Sequence, residues 1–175
     1  MSGVGTKHTL KLLIDTSVWL DYFFARTNAT RPIVKLFSRA AEAENIVLFS
    51  SSLSVKDIYY ILGRAMKADV RRVGALTPEA IAGADETAWA CVRLIRQKSI
   101  IASVGADEVF DSFVFRHHHN DFEDDLMLGV ANRIDVDYVV TEDKNLIKQT
   151  NGVCINVDQA LRLVEGSNVS SARPV

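Results

Sequence analysis

The sequence predicts an α/β protein built on a parallel sheet with helices on both faces. Short apolar runs, Lys11-Leu12-Leu13-Ile14-Asp15, Ile46-Val47-Leu48-Phe49 and Tyr138-Val139-Val140-Thr141, alternate along the chain with longer segments whose apolar residues recur at helical spacing. Each run is apolar at consecutive positions, as a strand must be when both of its faces are covered. At 175 residues, with 48% hydrophobic and 24% charged side chains, the chain can bury one core of its own, and it is not a disordered, collagen-like or coiled-coil sequence.

The elements follow in order. Thr16-Ser17 are natural caps between the first strand and a helix through Val18-Trp19-Leu20-Asp21-Tyr22-Phe23-Phe24. Residues 26–31 form a polar loop, and Pro32 opens a helix carrying Val34, Leu36, Phe37, Ala40 and Ala41 down to Glu44. After the strand at 46–49, Ser50-Ser51-Ser52 turn the chain into a helix from Leu53 to about Arg72. Gly74 to Pro78 break it, with Thr77 as cap and Pro78 as first residue of a helix reaching Gln97. A strand at 99–104, a helix at 106–115, a helix capped by Asp121 and running to Ile134, the strand at 138–141, a short helix from Glu142 and a last strand at 153–157 complete the series. A single domain spans 11–164, between an N-terminal tail at 1–10 and a polar, Ser-rich tail at 165–175.

Twenty basic against 22 acidic residues give a net charge of −2, which excludes a protein that holds nucleic acid by bulk positive charge. Cys91 and Cys154 have neither CxxC nor paired spacing, so there is no zinc or disulfide framework and a reducing compartment is expected. No apolar stretch approaches the roughly 18 residues of a membrane span, which points to a cytoplasmic protein without a membrane partner.

Open parallel sheets bind ligands outside the carboxyl ends of their strands. Asp15 closes the first strand and Asp143 follows the last residue of the 138–141 strand by two, so both project at that edge. Taken singly, Asp15 reads as an N-cap and Asp143 as a first-turn acid facing a helix dipole. On the helix opening at Asp121, Asp124 shares a face with Met127, Leu128 and Ala131, while Asp125 points with Gly129 and Asn132 toward solvent or another part of the site. Asp124 also reads as an N3 acid boxed with Asp121. Asp57 lies between Leu53 and Ile61 at helical spacing, where a carboxylate is costly unless Arg64, a turn further along, pairs with it or it coordinates an ion.

Four carboxylates gathered at one sheet edge would repel by about 3 kcal/mol for each pair at roughly 5 Å and an effective dielectric near 20. Such a cluster is tolerated with a bound cation or with some acids held protonated. All-oxygen donors favour Mg²⁺ or Mn²⁺, and carboxylate-held ions open to a phosphate are the usual means of activating water against a phosphodiester. Without these four acids the rest of the chain is slightly basic, so the net charge of −2 is compatible with one concentrated acidic site.

Leu13-Ile14-Asp15-Thr16-Ser17-Val18-Trp19, the 52–60 segment with Asp57, Asp121-Phe122-Glu123-Asp124 running into a helix with Ala131, and Val139-Val140-Thr141-Glu142-Asp143 resemble, in this order, the successive motifs of a PIN domain. The resemblance covers residues 11–157 and is nearest to the VapC-like ribonuclease toxins of type II toxin–antitoxin pairs. It implies a three-layer α/β/α sandwich around a central parallel sheet, Mg²⁺ or Mn²⁺ held by Asp15, Asp57, Asp124 and Asp143, and hydrolysis of single-stranded RNA. It places Ser17 and Thr141 beside the metal as accessory hydroxyls, and implies a small antitoxin partner and a homodimer. Two departures stand out: Asp57 occupies a position more often held by Glu, and Asp125 one where Ala is common.

Arg64, Lys67, Arg71 and Arg72 form a basic stripe on one helix, either a solvated face or a set of phosphate contacts. The run His117-His118-His119-Asn120 reads as a solvated loop, because adjacent residues of regular structure do not all face one ion. The Trp19-Tyr22-Phe23 set reads as core or a subunit contact. Two other functions remain open on these residues: a non-catalytic PIN-like RNA-binding or scaffold domain, and a structure-specific DNA nuclease.

Overall fold

The computed structural model describes residues 8–25, 30–74, 77–116 and 121–169. Within them five strands, β1 (Leu10–Ile14), β2 (Ile46–Ser51), β3 (Ile100–Ala102), β4 (Tyr138–Val140) and β5 (Cys154–Ile155), form one parallel sheet in the order β3-β2-β1-β4-β5. The helices are α1 (Thr16–Phe23), α2 (Thr30–Glu42), α3 (Ser52–Arg72), α4 (Pro78–Lys98), α5 (Ala106–Phe115), α6 (Phe122–Arg133), α7 (Lys144–Gln149) and α8 (Val157–Val169). The chain steps outward from β1 to β3, then returns to the other side of β1 for β4 and β5. The strand order therefore reverses between β1 and β4, and a crevice opens beyond the carboxyl ends of strands at such a reversal.

The consecutive apolar residues of each strand feed two separate cores. Leu12 and Ile14 of β1, Val140 of β4 and Ile155 of β5 pack with α1, α2, α3 and α8 on one face. Leu13, Val139 and Cys154, their neighbours in sequence, turn the other way and pack with α6 and Leu146 of α7. This is the three-layer α/β/α sandwich expected from sequence. Trp19 is wholly buried against Phe23 and Phe37, and its Nε1 donates to Ser50 Oγ at 3.0 Å, which satisfies the one polar atom the ring carries inward.

Several expected caps are formed as anticipated. Thr77 Oγ1 accepts from the Ala80 N–H with Pro78 at the first turn, and Asp121 caps α6. The terminal elements differ. Ser99 ends α4 rather than opening β3, with its hydroxyl donating to Ile95 O. The last strand is only Cys154–Ile155, because Asn156 caps α8: its Oδ1 accepts from the Gln159 N–H at 2.8 Å while Gln159 Oε1 accepts from the Asn156 N–H at 2.9 Å. Helix α8 then runs through Val169, into the stretch read as a polar tail. The reciprocal Asn156–Gln159 pair was the sequence signal for it.

Helix α6 is buried from Asp125 through Ala131 because the sheet covers one side and α5 another. The two helices are joined by Glu108, which is 2% exposed, accepts from the Gly105 N–H at 2.7 Å and pairs with the Arg133 guanidinium. Gly129 admits this approach, since a Cβ there would lie 3.3 Å from Glu108 Cα. Among the described residues no helix is long and apolar enough to cross a membrane.

Candidate metal and catalytic cleft

Asp15 follows β1 directly, and its backbone N–H bonds Val140 O at 2.9 Å, so its carboxylate stands at the reversal between β1 and β4. It caps α1: Oδ1 accepts from the Thr16 N–H at 2.6 Å. Its other oxygen, Oδ2, accepts from Ser17 Oγ at 2.6 Å and from Thr141 Oγ1 at 2.7 Å. Each hydroxyl is aimed by the backbone behind it, for Ser17 Oγ accepts from the Glu142 N–H at 3.2 Å and Thr141 Oγ1 from the Asp143 N–H at 3.0 Å. A carboxylate offers about four lone-pair sites and three are used here, so Oδ1 keeps one open.

Past β4 the chain gives two adjacent acids opposite jobs. Glu142 turns away and its Oε1 accepts from the Val157 N–H at the start of α8. Asp143 caps α7, its Oδ1 accepting from the N–H groups of Asn145 and Leu146 at 2.7 and 3.1 Å, while the residue stays exposed along the cleft. Asp124 comes in from the first turn of α6, where Asp121 Oδ1 accepts from the Asp124 N–H.

These three acids share one electrostatic field. Burial, reinforced by the charges of Asp121, Asp15, Asp143 and Asp125, pushes the Asp124 carboxyl up to about 7. The Cys154 thiol beneath them is pushed up to about 11, again by burial, with Asp15, Asp124 and Asp143 adding to it. Asp57 stands on the opposite wall, contributed by α3, and is paired with Lys56 Nζ at 2.6 Å rather than with Arg64. The hydrogen bond and charge of Asp57 hold the Lys56 ammonium above the ordinary lysine range, and Glu123 adds to this from α6.

The resulting cleft has a volume of about 260 Å³ and is lined by Asp15, Ser17, Ser51, Ser54, Asp57, Glu123, Asp124 and Asp143, with Leu20, Leu53 and Met127 among its apolar walls. All four expected acids and Ser17 thus reach one cleft, and Thr141 is joined to it through Asp15. Asp125 does not point to solvent. It is 3% exposed, because α5 covers the side of α6 that a two-layer picture leaves open, and it acts on the cleft through its charge on Asp124. Lys56, Glu123, Ser51 and Ser54 also line or flank the cleft and were not singled out in the sequence. The adjacency of Lys56 to Asp57 and of Glu123 to Asp124 was the available signal.

Of the basic stripe on α3, Lys67 pairs with Asp85 at 2.6 Å and Arg72 with Asp69 at 3.2 Å, while the Arg64 guanidinium lies over the Tyr60 ring. The His117–Asn120 run lies outside the described residues.

The donors are all oxygen and carry a concentrated negative charge, which suits a hard divalent cation such as Mg²⁺ or Mn²⁺. Among the described residues, no three His, Cys, Asp or Glu side chains stand together as a group that could hold a metal ion. That is compatible with a cation that keeps several waters and is held through one or two carboxylates.

The fold and cleft define a parallel α/β domain with a carboxylate site at its strand-order reversal. A family model described as PIN domain matches residues 11–145, and the chain belongs to that family. Three solved structures of similar fold are VapBC2 from Rickettsia felis bound to a DNA fragment from their promoter, VapC20 from Mycobacterium tuberculosis, a Sarcin-Ricin loop cleaving toxin, and VapBC-1 from nontypeable Haemophilus influenzae. The first is 12% identical, with a TM-score of 0.60, over 84% of this chain and 98% of that one. The second is 16% identical, with a TM-score of 0.54, over 79% and 95%. The third is 10% identical, with a TM-score of 0.55, over 85% and 99%. At these identities the likeness is one of fold. A comparison with curated proteins returned no match.

Proposed function

We propose that the protein is a divalent-metal-dependent endoribonuclease that hydrolyses single-stranded RNA, and that it is the toxin of a toxin–antitoxin pair. The observation that carries the reading is the meeting of Asp15, Asp124 and Asp143 in one cleft of a PIN-family chain, where burial, with the neighbouring acids adding to it, holds Asp124 well above the usual carboxylate range. Asp15 and Asp124 hold Mg²⁺ or Mn²⁺ directly, and Asp57 and Asp143 do so directly or through water. When bound, the cation supplies Lewis-acid activation of water and neutralises charge on the phosphodiester. Ser17 and Thr141 fix the orientation of Asp15, and Asp125 deepens the negative field from behind Asp124.

An antitoxin partner is supported by the solved structures of similar fold, several of which hold a toxin with its antitoxin. The exposed apolar residues of α5, Phe110, Phe113 and Val114, support a homodimer. The reading places the protein in the cytoplasm with its RNA substrate.

Incubating the purified chain with single-stranded RNA and Mn²⁺, with and without EDTA, tests the reaction. Cleavage that requires the metal and falls at least about a hundredfold in Asp15→Asn is expected, a loss of roughly 2.7 kcal/mol of transition-state stabilisation. Metal-independent cleavage, or full activity in Asp15→Asn, sinks the mechanism.

A further inference from the structure

The face of α3 that walls the cleft continues outward beyond Asp57. At about 100° per residue, Leu53, Asp57, Tyr60, Arg64 and Arg71 fall on one stripe. Ile58 and Leu62 turn into the core, and Gly63 and Lys67 face Ala88 and Asp85 of α4. Arg64 and Arg71 stand about 10 and 20 Å beyond Asp57 along the helix, at about 1.5 Å per residue. Tyr60 is 59% exposed even with the Arg64 guanidinium over its ring, 5.6 Å from the centroid.

The charges divide along the same line. Lys56, Lys67 and Arg72 are each paired to a carboxylate, with Asp57, Asp85 and Asp69 respectively. Among the described residues no carboxylate stands within ion-pair distance of Arg64 or Arg71. An acid-lined cleft is thus followed, along one helix face, by an exposed aromatic ring and two cations that no carboxylate among the described residues neutralises. A groove for single-stranded nucleic acid combines these same parts, cations that track the backbone and rings on which bases stack. A protein partner would need more aliphatic surface than this stripe offers, where Ile61 at its margin is 37% exposed.

We propose that Tyr60, Arg64 and Arg71 form a subsite for the strand leading into the cleft, with the Tyr60 ring stacking on a nucleobase and the two guanidinium groups on successive phosphates. The choice of RNA as the strand rests on the ribonuclease reading; the subsite itself rests on the ring and the cations. Lys67 takes no part, because Asp85 holds it against α4. Stacking is tolerant of base identity, so the subsite adds affinity rather than sequence choice.

The test is anisotropy of a labelled single-stranded RNA oligonucleotide titrated with the full chain carrying Asp15→Asn, in Mg²⁺ and at several salt concentrations. Tyr60→Ala weakens binding at least about fivefold, while Tyr60→Phe stays within about twofold because the ring alone stacks. Arg64→Gln and Arg71→Gln each lower the slope of log affinity against log salt by about 0.7. All three positions changed are on the surface, so melting midpoints stay close to that of the parent and folding does not confuse the result. Affinity unchanged in both Tyr60→Ala and Arg64→Gln overturns the proposal and assigns the face to a protein partner. So does failure of the parent to bind RNA at all. Cleavage is read separately on the chain with Asp15 intact: RNA bound through these residues without Mn²⁺-dependent cleavage sinks the reaction and keeps the subsite, and cleavage with unchanged affinity in both Tyr60→Ala and Arg64→Gln does the reverse.

Discussion

Ser17 and Thr141, 124 residues apart in the chain, stand 3.3 Å from one another and donate to the same oxygen of Asp15. One hydroxyl comes from the first turn of α1 and the other from the end of β4, so the shared carboxylate is fixed by both strands that border the crevice. Groups that orient a metal-holding carboxylate in this way typically govern metal affinity by about 10–100-fold. Ser17→Ala is therefore expected to weaken Mn²⁺ binding by about tenfold in calorimetry while leaving the fold intact. An unchanged affinity would show that Asp15 does not depend on the hydroxyl pair.

The acidic cleft itself predicts a stability effect. A ligand bound only by the native state stabilises it by about 2.7 kcal/mol when present at a hundred times its dissociation constant. Millimolar Mg²⁺ or Mn²⁺ is expected to raise the melting midpoint of the chain, and Asp15→Asn to lose most of that rise. No shift in the unaltered protein argues for a binding domain without a metal-dependent reaction.

Asp124 gives the pH dependence an unusual sign. Its folded value, about 7, lies above that of an unfolded aspartate near 4, so the native state holds a proton that the unfolded chain has released across this window. The stability it contributes is fully present below about pH 4 and is lost as the pH rises through 7. Without metal, the protein is expected to melt higher near pH 5 than near pH 8, and Asp124→Asn to flatten this difference and to melt above the parent near pH 8. A variant that retains the parent's full slope rules out Asp124 as its source. The same proton competes with the cation, so metal affinity is expected to climb through neutral pH.

Gly129 sits where α6 meets Glu108 of α5. Alanine is normally better than glycine inside a helix by about 1 kcal/mol, but a Cβ here would stand 3.1 Å from Glu108 Cγ and 3.3 Å from its Cα. The second contact is backbone, so the helices must part, at a typical overpacking cost of about 1–3 kcal/mol. Gly129→Ala is expected to destabilise the protein in urea melts, and a gain in stability would mean that α5 yields freely.

Arg133 tests the same contact from its charged side. Removing it in Arg133→Met leaves the Glu108 carboxylate buried with only backbone N–H groups for partners among the described residues, which is expected to cost about 2–3 kcal/mol in the same melts. A neutral effect would mean that water reaches Glu108.

Much of the site was legible because its residues obey local rules. Asp15, Asp121 and Asp143 are caps, and caps are fixed by the few residues around them, as Thr77 and Pro78 are at the start of α4. Asp124 was reached through helical phase, since it heads the stripe of Met127 and Ala131 that packs on the sheet. For its neighbour Asp125, phase left solvent or another part of the site open, and the burial of the residue removes the first. Whether the outer side of α6 meets water depends on α5 lying across it, and nothing in the sequence of α6 reports that cover. Asp57 is a different case: helical phase offers it Arg64, while its partner is the adjacent residue Lys56 of the same helix.

The sequence by itself determined the alternation of strands and helices, the two-sided apolar strands and the caps, because these follow from periodicity and from hydrogen bonds within a few residues. It also determined the oxygen-only chemistry of the acids. Only the tertiary structure decided the strand order that makes β1 and β4 neighbours, and with it the meeting of Ser17 and Thr141 on Asp15. It alone set Asp124 near 7, since burial and the approach of Asp15 and Asp143 from two other segments arise when the sheet edge is assembled. Charge and burial at a point depend on every element packed around it, and that is a property of the fold.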